Sequence, residues 1–295
     1  MFIEAIEKVS AFTRPIHTIM RTYGGKQVVP GAATLFFVNK QGYAVTCKHV
    51  VELLLASDSI NVNYSNFKAE RNRLLNDGKY KSNLKGLELK YKINSDSLIQ
   101  IKNSFVDAVS NMSGFNVIMH PTVDLAILKL NDFDTVLYSD VAVFKKNGSD
   151  LKQGEHLCRL GFPFPEFTNF KYNDSIDDIE WTNEGIMHSP RFPIDGMVTR
   201  FLAENNNLYG IELSTPGLKG QSGGPLFNKK GIICGMQSST KHLHLGFDII
   251  EKEIMIDNKL QKVTDYSFLH LGQCIHVDVI KSFLDEHKVM YHEED

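Results

Sequence analysis

The sequence predicts an all-β protein, and three observations carry that expectation. Short alternating apolar runs recur along the chain, broken by Gly, Asn and Pro. They do not alternate with long helical patterns, which sets aside a doubly wound α/β sheet. A histidine, an aspartate and a serine with chemistry to offer stand in that chain order. An α/β-hydrolase would want the histidine last and the serine between a strand and a helix. At 295 residues, 42% hydrophobic and 23% charged, the chain is an ordinary globular protein of one large or two modest domains. A formal net charge of -3 gives no reason to expect a nucleic-acid partner. No apolar run approaches the ~18 residues of a membrane span. The acids Glu4 and Glu7 near the start do not suit a secretory signal, so a cytoplasmic protein is expected.

The elements follow in order. Residues 1–12 read as a helical lead-in. Thr34-Leu35-Phe36-Phe37-Val38 and Tyr43-Ala44-Val45-Thr46 read as strands. The second delivers His49 to a short helix begun by Val50, Val51, Leu53, Leu54 and Leu55. Residues 57–113 make a long connection. Within 68–92, eight basic residues (Lys68, Arg71, Arg73, Lys79, Lys81, Lys85, Lys90, Lys92) face three acids (Glu70, Asp77, Glu88). Such a run is most simply a solvated insertion; the sharper alternative is a docking surface for an acidic regulatory partner. Strands are expected at 115–119 and 125–130, with Asp124 at the mouth of the latter. A buried acid there needs a donor, and a histidine N–H would serve. His120 is the rival histidine, but it abuts Pro121 in a turn.

Residues 145–150 suit a linker. Strands follow at 156–160, 197–201, 210–213 and 231–236. A second insertion, 166–193, is rich in Asp and Asn, holds Trp181, and is expected to overhang the cleft as a regulatory loop. His242 and His244 are too few for a metal site, and no metal or other cofactor is expected. Asp278 suits the cap of a final helix with Val279, Ile280, Phe283 and Leu284 on its apolar face, and residues 291–295 suit a frayed tail.

The most informative stretch is Gly220-Gln221-Ser222-Gly223-Gly224-Pro225-Leu226. Glycines let the chain turn sharply and keep backbone N–H groups open around one serine. That suits a nucleophile attacking a carbonyl while the donors hold the resulting oxyanion. Ser222 is thus the candidate nucleophile, His49 its base and Asp124 the orienting acid. The N–H groups of Gly220 and Ser222 are the candidate oxyanion donors.

These segments resemble the chymotrypsin/trypsin superfamily of serine proteases. The likeness is closest to the bacterial trypsin-like group that includes the HtrA/Deg proteases, in the hallmarks Gly42-Tyr43 through His49-Val50-Val51, Asp124-Leu125-Ala126-Ile127-Leu128-Lys129 and Gly220 through Leu226. It covers roughly residues 30–288 apart from one insertion. Too little chain follows the final helix for the PDZ module typical of that group. The resemblance implies two six-stranded Greek-key β-barrels with short terminal helices: a lead-in over 1–27, a first barrel over 28–145, a second over 152–277, and a helix and tail over 278–295. The triad would assemble between the barrels. The secreted digestive enzymes carry an acid before the nucleophile that pairs with a new amino terminus; Gln221 stands there, so propeptide switching is not expected. An acid six residues before the nucleophile selects Arg or Lys; Pro216 stands there. The resemblance sets Gln237, Ser238, Ser239 and Thr240 as pocket walls, with 272–274, Gly272 and Cys274 included, opposite. A small or medium uncharged side chain is expected in the pocket, or else a glutamine read by Gln237 or a nearby histidine.

The resemblance implies a serine endopeptidase acting on a protein or peptide through an acyl-enzyme, with activity controlled by a partner or loop. Two alternatives are a catalytically silent binding module on the same fold and an esterase with the same triad. Cys47, Cys158, Cys234 and Cys274 show no zinc or redox spacing and read as buried free thiols.

Overall fold

The computed structural model describes residues 1–74, 80–205 and 207–295, the side chains of 80–82 excepted. Two β units share one hydrophobic core. In the first, six strands lie in the order Leu98–Phe105, Thr13–Thr22, Val29–Phe37, Tyr43–Thr46, Ala126–Asn131, Gly114–Met119, and the sheet curls into a half-barrel. In the second, Pro225–Phe227, His156–Gly161, Phe192–Glu204, Asn207–Leu213, Phe268–His276 and Ile233–His244 pair in sequence. The ring closes where Pro225 and Leu226 pair with Met236 and Gly235. The result is the two-barrel, all-β, chymotrypsin-like architecture.

The inner faces explain the ring. Leu157, Val198, Ile211, Leu213, Leu226 and Ile233 are buried from neighbouring strands, and Leu160 is buried on the other face of its strand. Burying each such side chain contributes roughly 1.5–3 kcal/mol. Helices Ile3–Ser10 and Val277–Glu286 flank this core, the second through Ile280, Phe283 and Leu284.

Several local expectations change. The lead-in ends early: Thr13–Thr22 pairs with Val29–Phe37 along its length and belongs to the first sheet. His49 opens not a short helix but a 27-residue one, Lys48–Leu74. Its buried positions Val50, Leu54, Ser57, Tyr64 and Phe67 keep helical spacing on one face. The final helix is capped by His276, whose Nδ1 accepts the N–H of Asp278 at 3.2 Å, rather than by Asp278 itself. The tail is held too: His292–Glu294 pairs in parallel with Val143–Lys145.

Part of the basic stretch is engaged by the fold, while Arg73, Lys85, Lys90 and Lys92 are exposed. Arg71 pairs with Asp177 at 2.9 Å, Lys90 with Glu70 at 2.7 Å, and Lys68 donates to the carbonyls of Ile176 and Asp177. Asp77 and Lys79 lie outside the described residues, as does the side chain of Lys81. The second insertion does not overhang the cleft. Its hairpin, Phe170–Asn173 with Asp178–Trp181, packs Phe167 and Ile179 against Ile19 of the first sheet and so joins the two units.

Candidate active site

Strand Tyr43–Thr46 hands the chain through buried Cys47 to the helix beginning at Lys48. His49 therefore lies in the helix's first turn, where backbone N–H groups lack helical partners. Its own N–H donates to Asp124 Oδ1 at 3.0 Å. Its ring Nδ1 lies 2.9 Å from Oδ2 and 3.1 Å from Oδ1. One carboxylate thus caps the helix and fixes the imidazole. The arrangement assigns the proton to Nδ1 and leaves the Nε2 lone pair free.

Ser238 adds a third donor, its hydroxyl 2.7 Å from Asp124 Oδ2. Burial pushes the Asp124 carboxyl up. Hydrogen bonds from the His49 ring, the Ser238 hydroxyl and the His49 N–H outweigh it and hold the group at about 2. The same hydrogen bond raises His49 above its ordinary value, against the opposing effect of desolvation. Cys47, His49 and Asp124 offer atoms within 4.8 Å of one another. The Cys47 thiol donates to the Gln237 carbonyl at 3.3 Å, and burial pushes its pKa well up.

The serine turn is built by steric necessity. Gly220 has φ +98°, and a Cβ there would meet the Phe162 carbonyl at 2.6 Å. Gly223 has φ +84°, and a Cβ there would collide with the Thr34 carbonyl and the Thr46 hydroxyl. Only glycine takes both positions without strain. Thr34, from the first sheet, grips the turn: its N–H donates to Ser222 O at 3.0 Å and its hydroxyl to Gly220 O at 2.8 Å. Gln221 is buried and static, with Oε1 accepting from Leu218 N at 3.0 Å and Nε2 donating to Phe192 O at 3.0 Å. Among the described residues, the N–H groups of Gly220 and Ser222 donate to no protein acceptor. The Ser222 hydroxyl donates to Ser238 O at 3.4 Å, and among the described residues it makes no hydrogen bond to His49.

A family model, the trypsin-like peptidase domain, matches residues 33–236. The chain belongs to the trypsin-like peptidase domain family. The family is one of serine proteases, hydrolases whose substrates are proteins. The match spans His49, Asp124 and Ser222 and stops one residue before Gln237. No curated protein matches the chain. Among the described residues, no helix is long and apolar enough to cross a membrane.

A cavity of about 400 Å³ opens beside Ser222. The structure brings Pro216, Gln237, Ser238, Ser239 and Thr240 to it. Gly272 and Cys274 do not line it. Gly272 packs under Arg159 and the Thr215 carbonyl, and Cys274 is buried against Gln237 Oε1 and lines a separate cavity with Asp124 and Ser238. The strand crosses the barrel wall there, so its side chains face inward or to the opposite side. His120 is used locally, its Nδ1 accepting the N–H groups of Thr122 and Val123 at 3.2 and 3.1 Å.

Three contributors were not found in the sequence: the Ser238 hydroxyl on Asp124, the Thr34 clamp and Arg159 behind the cavity. Thr34 heads an apolar run and Ser238 sits in the polar run Gln237-Ser238-Ser239-Thr240, weak signals that only a tertiary partner explains. A charged residue amid Leu157, Cys158 and Leu160 was the signal for Arg159.

Proposed function

We propose that this protein is a serine endopeptidase in which Ser222, His49 and Asp124 form the triad. The observation that carries the reading is the Asp124–His49 pair set beside a serine turn with two unused N–H groups. Turning from Ser238 O toward His49 Nε2, the Ser222 hydroxyl attacks the scissile carbonyl and His49 takes its proton. The N–H groups of Gly220 and Ser222 receive the oxyanion. Asp124 stabilises the imidazolium, whose Nε2–H then protonates the departing amine as the C–N bond breaks. Water, deprotonated by the same imidazole, hydrolyses the acyl-enzyme and restores Ser222.

Gln221 supports a turn that is set without a new amino terminus, since its amide already ties the Leu218 N–H to the Phe192 carbonyl. Pro216 supports a P1 preference that is not basic. The HtrA-like motifs favour a bacterial-type relative, and four buried free cysteines favour a reducing compartment such as the cytoplasm. Lys68 and Arg71 are taken up by Ile176 and Asp177, which leaves Arg73, Lys85, Lys90 and Lys92 as the exposed bases of that stretch among the described residues. The exposed hairpin Ile249–Ile256 with Lys259–Asp265 offers a further element for partner control.

The test is labelling with a fluorophosphonate, with the modified residue located by mass spectrometry. Label on Ser222, abolished in Ser222→Ala and His49→Ala, is expected. Label elsewhere, or undiminished in those variants, contradicts the assignment. The raised pKa of His49 also sets a direction. The base works only when neutral, so kcat/KM falls as pH drops through a value above 6.5. A limb below 6.5 would contradict the raised value, and a flat profile from about pH 5 to 8 would sink His49 as the base.

A further inference from the structure

We propose that Arg159 is a specificity-determining residue that gives the cavity beside Ser222 a preference for an acidic side chain, glutamate or aspartate, on the acyl side of the scissile bond. The inference rests on the endopeptidase reading and names its substrate class.

Arg159 is fully buried on strand His156–Gly161. Its Nη1 donates to Gln237 Oε1 at 2.7 Å, and its Nη2 to the Thr215 hydroxyl at 2.6 Å and carbonyl at 3.1 Å. Its Nε has no partner. None of these acceptors is an anion, and among the described residues Arg159 joins no ion pair. Buried arginines are ordinarily paired. Arg21 is the contrast within this molecule: nearly as buried, it sits 2.7 Å from Asp177. Among the described residues Arg159 has no carboxylate in ion-pair contact, and the Asp195 carboxylate acts on it only from a distance.

Its place gives that charge a use. Gln237 lines the cavity, and Thr215 precedes Pro216, which lines it too. The absent side chain of Gly272 leaves the space that Nη1 enters. The guanidinium therefore stands directly behind the cavity wall. Gln237 is fully engaged: its Oε1 accepts from Arg159 while its Nε2 donates to the carbonyls of Ser239 at 2.7 Å and Gln273 at 3.3 Å. Its amide carries the field and cannot swing to cancel it. Among the described residues, the other ionisable groups lining the cavity are Lys219, His242 and His270, and no carboxylate lines it. A positive charge behind a poorly solvated wall attracts an entering carboxylate and repels a lysine or arginine. Shape alone would not separate glutamate from glutamine; charge does.

The experiment compares kcat/KM for one peptide series carrying Glu, Asp, Gln, Leu or Lys at that position. In parallel, binding of the same peptides to Ser222→Ala is measured by calorimetry, which needs no turnover. Through-space attraction at an effective dielectric of ~20 predicts Glu over Gln by about tenfold. Gln237→Glu keeps the shape of the wall and supplies Arg159 with an anion, so the Glu-to-Gln ratio should fall to about one. Arg159→Met should act likewise. Equal handling of Glu and Gln by the unaltered protein, or an unchanged ratio in Gln237→Glu, overturns the proposal. So does loss of the preference in Lys219→Gln while Gln237→Glu retains it, which would assign the charge to the rim. A protein that neither cleaves the series nor labels at Ser222 contradicts the endopeptidase reading, and the calorimetry still decides the preference of the cavity.

Discussion

Two hairpins of similar local design have opposite fates. Phe170–Asn173 pairs with Asp178–Trp181 and is drawn into the body of the protein. Ile249–Ile256 pairs with Lys259–Asp265 and is exposed at every strand position but Val263. Both turns use residues at positive φ, Asp177 in the first and Asp257 and Asn258 in the second. The difference lies in what the turn meets. Asp177 receives Arg21, Arg71, Tyr64 and Tyr172 at 2.7–2.9 Å, while Gln100 and Lys102 hold Asp178. Phe167, Ile179 and Trp181 bury an apolar face beneath. The second hairpin presents Ile250, Met255 and Leu260 to solvent, each more than 60% exposed. Strand propensity makes a hairpin; complementary partners decide whether it becomes part of the fold.

Three substitutions sharpen this contrast. Phe167→Ala, at the centre of the buried junction, should destabilise by about 3–5 kcal/mol in urea unfolding. A loss under about 1 kcal/mol would mean that the junction is not a core. Asp177→Asn should cost about 2–3 kcal/mol, because Arg21 would remain buried with no anion. Its pH dependence is a separate check. Burial raises the Asp177 carboxyl, but Tyr64, Arg71, Tyr172 and Arg21 hold it at about 2. A depressed value means the contribution is full above the ordinary ~3.9 and disappears as pH falls through about 2. The Asn variant should lose that acid-sensitive component. Replacing residues 246–266 by a short Gly-Ser turn should change stability least, within about 1 kcal/mol, since little is buried there. A large loss would show that the exposed hairpin is a structural element.

The family was legible because three motifs, around His49, Asp124 and Ser222, stand in fixed order, each with its own local logic. Glycine must stand at 220 and 223 because the backbone there has positive φ and no room for a Cβ. The first strand was not legible. Thr13–Thr22 places Arg14, Pro15, His17 and Arg21 among its apolar residues, which reads as a polar lead-in. His17 is buried against the Ser189 hydroxyl at 2.9 Å, and Arg21 against Asp177, partners more than 150 positions away. The long helix was hidden for a related reason. Its buried face includes Ser57 and Tyr64, whose polar atoms find the Leu54 carbonyl and Asp177. Arg159 looked like one polar position in an alternating strand. The barrel closes around it and turns it inward. Polar residues that fold inward against distant partners leave no periodic trace, and these are the places where sequence pattern falls short.

The central claim is that Ser222, activated by His49 and Asp124, cuts peptide bonds. The direct measurement is a mass-spectrometric count of new peptide ends formed in a proteome-derived peptide library by the unaltered protein and by Ser222→Ala. The account predicts a defined set of new ends from the unaltered protein and a loss of at least about a thousandfold in rate from Ser222→Ala, with the melting temperature retained. The same new ends at a comparable rate from Ser222→Ala would contradict it.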